Sequence, residues 1–204
     1  MTKRYFLLFV GLILFVAVAA SPVQAGGWEG DHHRWRDKEV RVNWRFAGAF
    51  YNGVAQADSD DPMFLWHTEV IGSPGTATIV GINQGPGTGM APAADFAGCF
   101  DGADLKLVAI PGAPQNENSL AATFKDLSVL NMAYDETRSE EAFNCIRFSD
   151  SRFDFVVPIR FVGGFGRFEG STGEAIIRGQ SRPVIPGSRF GTEIGTITGT
   201  IILP

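Results

Sequence analysis

From residue 40 onward the chain alternates in steps of two. Val40, Val42, Trp44 and Phe46 fall on one side of an extended segment, and Arg41, Asn43 and Arg45 on the other. That pattern predicts a strand with one buried and one wet face. Further apolar runs predict strands at 63–71, 76–82, 96–100, 105–110, 120–124, 128–134, 142–148, 153–162, 174–178 and 196–203. Turn chemistry separates them. Asn52-Gly53 and Ser73-Pro74-Gly75 read as tight turns. Residues 55–62 read as an acidic loop, and 84–94 and 111–118 as Gly- and Pro-rich loops. The charged stretch 135–141 has room for one helical turn. Pro158 interrupts a long strand, which marks a bulge or an edge, and Phe153, Phe155 and Phe161 share parity along it.

No segment beyond the amino terminus sustains a period near 3.6. The expectation is all-β: an antiparallel β-barrel of about eight strands, or the related sandwich. The crossover helices of an α/β nucleotide fold are missing from the pattern.

The first 25 residues differ from the rest. Lys3 and Arg4 precede an apolar run from Phe6 to Ala20, then Ser21-Pro22 and the small-residue exit Val23-Gln24-Ala25. This is the layout of a signal peptide cleaved after Ala25. A membrane anchor is the alternative, but the run is shorter than the ~20 residues a span needs. The expected organisation is a signal peptide at 1–25, a polar segment at 26–39 and a single barrel domain at 40–204.

Composition sharpens this picture. The 204 residues are 45% hydrophobic, include 25 Gly and 17 Phe, and carry a formal net charge of -5. Removing 1–25 takes away two basic residues and no acidic one, leaving a net charge of about -7. Such a balance disfavours nucleic acid and anionic membranes. The chain reads as secreted or periplasmic, with no stable span after cleavage.

An exported chain meets an oxidising compartment, so Cys99 and Cys145 are expected to form a disulfide. Two buried free thiols are the alternative. Neither cysteine has a neighbouring histidine, which argues against a Cys nucleophile or zinc.

Candidate chemistry is sparse. No Walker A, HExxH or GxSxG pattern occurs. His32 and His33 are adjacent and point to opposite faces of an extended segment, so they suit one metal poorly. Asp58, Asp60 and Asp61 lack the spacing of a calcium loop, and Asp135, Glu136, Glu140 and Glu141 are a similar acidic cluster. Neither metal nor cofactor is expected. His67 and Glu69 share a face of one strand and form an acid–base pair if that face is interior. The alternative turns them outward and places Phe64, Trp66 and Thr68 inside.

The run Val162-Gly163-Gly164-Phe165-Gly166-Arg167-Phe168-Glu169-Gly170-Ser171-Thr172-Gly173 has the glycines needed to bend one strand sharply into the next. Phe165 and Phe168 are its expected apolar anchors. The run resembles the late glycine-rich segment of the allene oxide cyclase and dirigent β-barrels. It is closer still to secreted bacterial barrel-like proteins of uncharacterised function that share a GxGRFxGxTG signature. The run 191–201 resembles their closing strand. The resemblance implies an eight-stranded antiparallel barrel with an apolar interior. Gly163, Gly164, Gly166, Phe168, Gly170 and Gly173 are structural in this reading, and no catalytic residue carries over. The function expected is a secreted non-catalytic barrel that binds a small hydrophobic ligand or serves as a surface or interaction module. The alternative is an allene-oxide-cyclase-like or dirigent-like enzyme using the interior as an apolar chamber.

Overall fold

The computed structural model describes residues 38–204 other than 56–61, 85–87, 92–94, 110–117 and 186–187, with the backbone alone at 52–55, 62–64, 82–84, 88–90 and 118. The expected signal peptide, His32 and His33, and Asp58, Asp60 and Asp61 lie outside the described residues, as does the side chain of Phe64.

Eleven strands are described: β1 (Lys38–Ala55), β2 (Pro62–Ser73), β3 (Ala77–Gln84), β4 (Thr88–Met90), β5 (Leu105–Ala109), β6 (Asn118–Phe124), β7 (Val129–Tyr134), β8 (Phe143–Arg147), β9 (Arg152–Phe165), β10 (Thr172–Pro183) and β11 (Phe190–Leu203). Eight of them close an antiparallel barrel in the order β10, β11, β1, β2, β3, β6, β7, β9 and back to β10. Closure leaves no unpaired edge within that ring. β8, β5 and the short β4 continue outside it, starting from β9.

β9 serves both parts. Its second half pairs with β7 and its first half with β8, along the same edge. Pro158 sits where one neighbour leaves off and the other begins. Its carbonyl accepts from Asp135 N at 3.0 Å. A residue's N and O point to the same side of a strand, so the missing N–H faces this gap, where no ladder donor is called for. Of the two readings of Pro158, a local edge is the one realised.

The alternation read from the sequence is the alternation of the barrel wall. Val42, Trp44 and Phe46 are buried while Arg41, Asn43, Arg45 and Ala47 are exposed. Trp44, Val70, Ile79, Ala122, Leu130, Ile159, Ile177, Ile197 and Ile201 fill the interior at 2% exposure or less. Trp44 satisfies its indole by donating Nε1–H to Gly75 O at 2.7 Å. Three large rings lie on glycines. Phe155 covers Gly179, Phe50 covers Gly191 and Phe46 covers Gly195, and a β-carbon on any of the three would run into the ring. The glycines of β10 and β11 therefore make room for aromatics from β1 and β9.

The glycine-rich run bends as expected. Two residues of β9 oppose one of β7 between Leu130 and Met132, with Gly163 at φ +86° in the bulge. Gly166 at φ +64° then starts a 3-10 turn, Gly166–Phe168. Phe168 is buried against Phe124, with ring centroids 4.8 Å apart. Phe165 is not an anchor; it is 69% exposed. It lies on the outward parity of β9, beyond the bulge.

Three local expectations change. Asn52-Gly53 is not a hairpin turn: β1 runs through it to Ala55, with a register shift between Asn52 and Val54. Glycine after asparagine serves a bulge here, because both flanks stay paired with β2. Residues 96–100 are a turn rather than a strand, with Gly98 at φ +87° under the Phe143 ring. The strand expected at 174–178 extends over Thr172–Pro183, held on both sides by β9 and β11.

Cys99 in that turn is bonded to Cys145 on β8, with Cα atoms 5.6 Å apart. Lys106 on β5 also holds the turn. It is 8% exposed, donates to Asp95 O and Ala97 O at 3.2 and 2.9 Å, and lies over the Phe143 ring. A buried disulfide suits an oxidising compartment. Among the described residues no helix is long and apolar enough to cross a membrane.

Candidate functional site

One row across the barrel is polar. Thr68 on β2, Gly48 on β1, Glu193 on β11 and Ser181 on β10 lie in register on four adjacent strands. Thr68, Glu193 and Ser181 are buried, at 1%, 2% and 5% exposure. Along its own strand Glu193 is flanked by Gly191 and Gly195, so its neighbours on the inner face are three glycines and a serine. The carboxyl thus stands between the Phe46 and Phe50 rings that cover those glycines.

Its polar contacts are incomplete. Glu193 Oε1 and Thr68 Oγ1 have no hydrogen-bond partner among the described residues. Burial pushes the Glu193 carboxyl from 4.5 up to about 8. At neutral pH the group is therefore mostly a neutral acid with a proton to give. Ser181 Oγ is turned away from it and donates to Phe153 O at 3.4 Å.

Ser181 also lines a depression of about 540 Å3 at this end of the barrel. Phe50, Ile146, Phe148, Phe153 and Pro183 give it apolar walls, and Ser151, Arg182, Ser188 and Arg189 give it a polar rim. Phe148 is 65% exposed there. Arg182 reaches Asp150 at 3.7 Å, and Asp150 is also gripped by Arg147 at 2.8 Å. The Arg147 hydrogen bonds hold the Asp150 carboxyl far below its ordinary range. Of the rim residues, Arg182 is thus drawn toward an aspartate that Arg147 holds in place.

The pair singled out in the sequence lies elsewhere. His67 and Glu69 are exposed on the outer wall, while Trp66 and Thr68 between and beside them are buried. Glu69 accepts from the Thr78 hydroxyl at 2.7 Å on the neighbouring strand. The outward reading holds, and the two residues are not an interior acid–base couple. The acidic cluster at 135–141 is used locally. Asp135 caps a 3-10 turn by accepting from Thr137 N, and Glu141 takes the Arg138 guanidinium at 2.6 and 2.9 Å. Among the described residues no group of three or more His, Cys, Asp or Glu could hold a metal ion.

Glu193 is the residue that sequence reasoning passed over. A signal existed. It shares parity with Ile197 and Ile201, so the pattern that places those isoleucines inside places the carboxyl inside too.

No protein-family model matches the chain, and no curated protein matches its sequence.

Proposed function

We propose that this chain is an exported binding protein that holds a small, largely apolar ligand at the open end of its barrel. The observation that carries this reading is the depression walled by Phe50, Phe148, Phe153, Ile146 and Pro183, with buried Ser181 on its lining and Glu193 beside it in register. An apolar concavity with few convergent polar groups and one strongly shifted carboxyl is the usual form of a small-molecule site. The interior itself is filled by side chains, so the ligand rests at the mouth and not in the lumen. Export is supported by the signal-like residues 1–25 and by the disulfide.

The test is titration with Nile red, a neutral apolar fluorophore, alongside native mass spectrometry of protein purified from its producing cell. A saturable fluorescence rise is expected, and Phe148→Asp should weaken it at least tenfold without altering the far-UV spectrum. Equal binding by both proteins would reject the mouth as the site.

A second reading, an enzyme of the cyclase or coupling type suggested by the glycine-rich resemblance, is favoured by one observation. Glu193 is a buried carboxyl that keeps its proton near pH 7 and so is able to act as a general acid. Turnover lost in Glu193→Gln but not in Ser181→Ala would support it.

A further inference from the structure

The outer wall of β1, β11 and β10 carries a second feature, independent of the mouth. Side chains at odd positions of β1 and even positions of β10 and β11 face outward, and the register sets them in rows. Arg45, Thr196 and Arg178 form one row, and Arg41, Thr200 and Glu174 another. Thr192 and Arg182 share a third, and Tyr51 pairs with Phe190 at the end of the face. Threonines 192, 196, 198 and 200, interrupted by exposed Ile194, therefore run down the middle strand between the arginines of β1 and β10.

The cations on this face are largely uncommitted. The guanidinium groups of Arg41, Arg45 and Arg178 make no ion pair or side-chain hydrogen bond among the described residues, although Arg178 lies within the field of the Glu141 carboxylate. Two of the acids nearby are taken, Glu174 by Arg138 at 3.2 Å and Asp154 by Arg152 at 2.6 Å, while exposed Glu39 and Glu69 stand at the margins of the face. Two shallow depressions follow the threonine file. One of about 530 Å3 is bordered by Arg45, Arg152, Arg178 and Thr196, together with Ile194 and the Asp154 that Arg152 holds. The other, of about 390 Å3, is bordered by Arg41, Asn43, Thr198 and Thr200. From strand geometry the arginines stand about 10 Å apart across the sheet and about 13 Å apart along it.

We propose that this face binds an acidic polysaccharide. Guanidinium forks match carboxylate and sulfate groups in two-point contacts. Threonine hydroxyls between them suit sugar hydroxyls. Tyr51 and Phe190, 40% and 48% exposed, offer a ring surface to one sugar at the end of the track. Single-stranded nucleic acid would need a succession of aromatic platforms along the track, and the rows between Tyr51–Phe190 and Arg41 hold none. The compartment implied by the disulfide is also one where acidic polysaccharides are met. The net charge of -5 conceals this face because the sheet segregates arginines that the whole-chain sum cancels.

The experiment uses the oxidised full-length protein and immobilised dextran sulfate, with neutral dextran and oligo-dT as comparison surfaces. Salt-sensitive binding to dextran sulfate, none to dextran and weaker binding to oligo-dT are expected. Arg45→Glu with Arg178→Glu should reduce binding at least tenfold and lower the salt slope by about two. Lys125→Glu, on the exposed turn between β6 and β7, makes the same charge change per residue away from the face and should leave binding within about twofold. Circular dichroism confirms that each variant is folded. The proposal is overturned by an absence of binding to dextran sulfate anywhere between about 10 and 150 mM salt, by equal losses in the two variants, or by tighter binding to oligo-dT.

Discussion

Replacing Glu193 by Gln should stabilise the protein, and by an amount that depends on pH in a defined way. The carboxyl is 2% exposed and its Oε1 is unpartnered. Burial raises its pKa from 4.5 to about 8. The folded state therefore holds a proton that the unfolded state releases between those values. Wherever the folded state binds more protons, stability falls as pH rises. The contribution of Glu193 is fully present below pH 4.5, declines steadily above it, and levels off beyond pH 8. Each pH unit in that window contributes about 1.4 kcal/mol, so at pH 7 the wild type forgoes about 3 kcal/mol that Gln retains. For a domain of this size that is a rise in Tm of roughly 6–12 °C.

Urea unfolding of wild type and Glu193→Gln at pH 5, 6, 7, 8 and 9, with the disulfide intact, isolates this effect. Other titrating groups are common to both proteins and cancel in the difference. The gap should be below about 1 kcal/mol at pH 5, grow to about 3 at pH 7 and flatten above pH 8. Parallel stability profiles would refute the reasoning. They would mean that the carboxyl is solvated or paired in solution, and its place in the polar row would then explain nothing about its protonation.

Three further outcomes follow from the packing. Gly179→Ala should cost about 1–3 kcal/mol in urea unfolding, because the new methyl group displaces the Phe155 ring from a filled interior. Cys99→Ser with Cys145→Ser should lower stability by about 4 kcal/mol on the chain-entropy estimate for a separation of 46 residues, measurable by the same unfolding assay. His67→Ala with Glu69→Ala should change stability by less than about 1 kcal/mol and leave Nile red binding unaltered, because both side chains sit on the outer wall.

Much of the barrel was legible because its wall obeys a period of two. Val42, Trp44 and Phe46 could be placed inside from parity alone, and so could Trp66 and Thr68 once the outward reading of His67 was admitted. The glycines at 163–173 announced a bend, and Phe168 its anchor. Phe165 was misplaced because parity changes across the bulge at Gly163, and a bulge cannot be counted without its partner strand. Residues 96–100 looked like a strand because Phe96, Cys99 and Phe100 are apolar. Half-buried, they belong instead to a turn pinned by the disulfide and by Lys106. Glu193 was missed for a related reason. Its consequence depends on Gly48, Ser181 and Thr68, which lie on three other strands and meet it only through register.

Register also decides what charge means in this molecule. A net charge is a sum over positions, whereas a binding partner meets only the residues on one face. The sequence showed Arg41 and Arg45 on the wet side of one strand, which is two charges about 13 Å apart and too few to hold a polymer. Antiparallel pairing to β11 and then β10 brings Arg178 and Arg182 beside them, with threonines between. Glu174 and Asp154 are drawn into ion pairs with Arg138 and Arg152, and Glu39 and Glu69 are left at the margins of the face. Whole-chain arithmetic therefore predicts avoidance of anions, and the sheet supplies a local exception. Within a Debye length of about 8 Å at physiological salt, the local arrangement governs contact while the distant acids are screened. An acidic protein with a basic wall should accordingly meet polyanions slowly at very low ionic strength, where its overall charge repels them, and meet them fastest at intermediate salt. A maximum in the association rate between about 10 and 150 mM salt would be the signature of that opposition. A rate that falls steadily from the lowest salt upward would show that the wall alone controls the encounter.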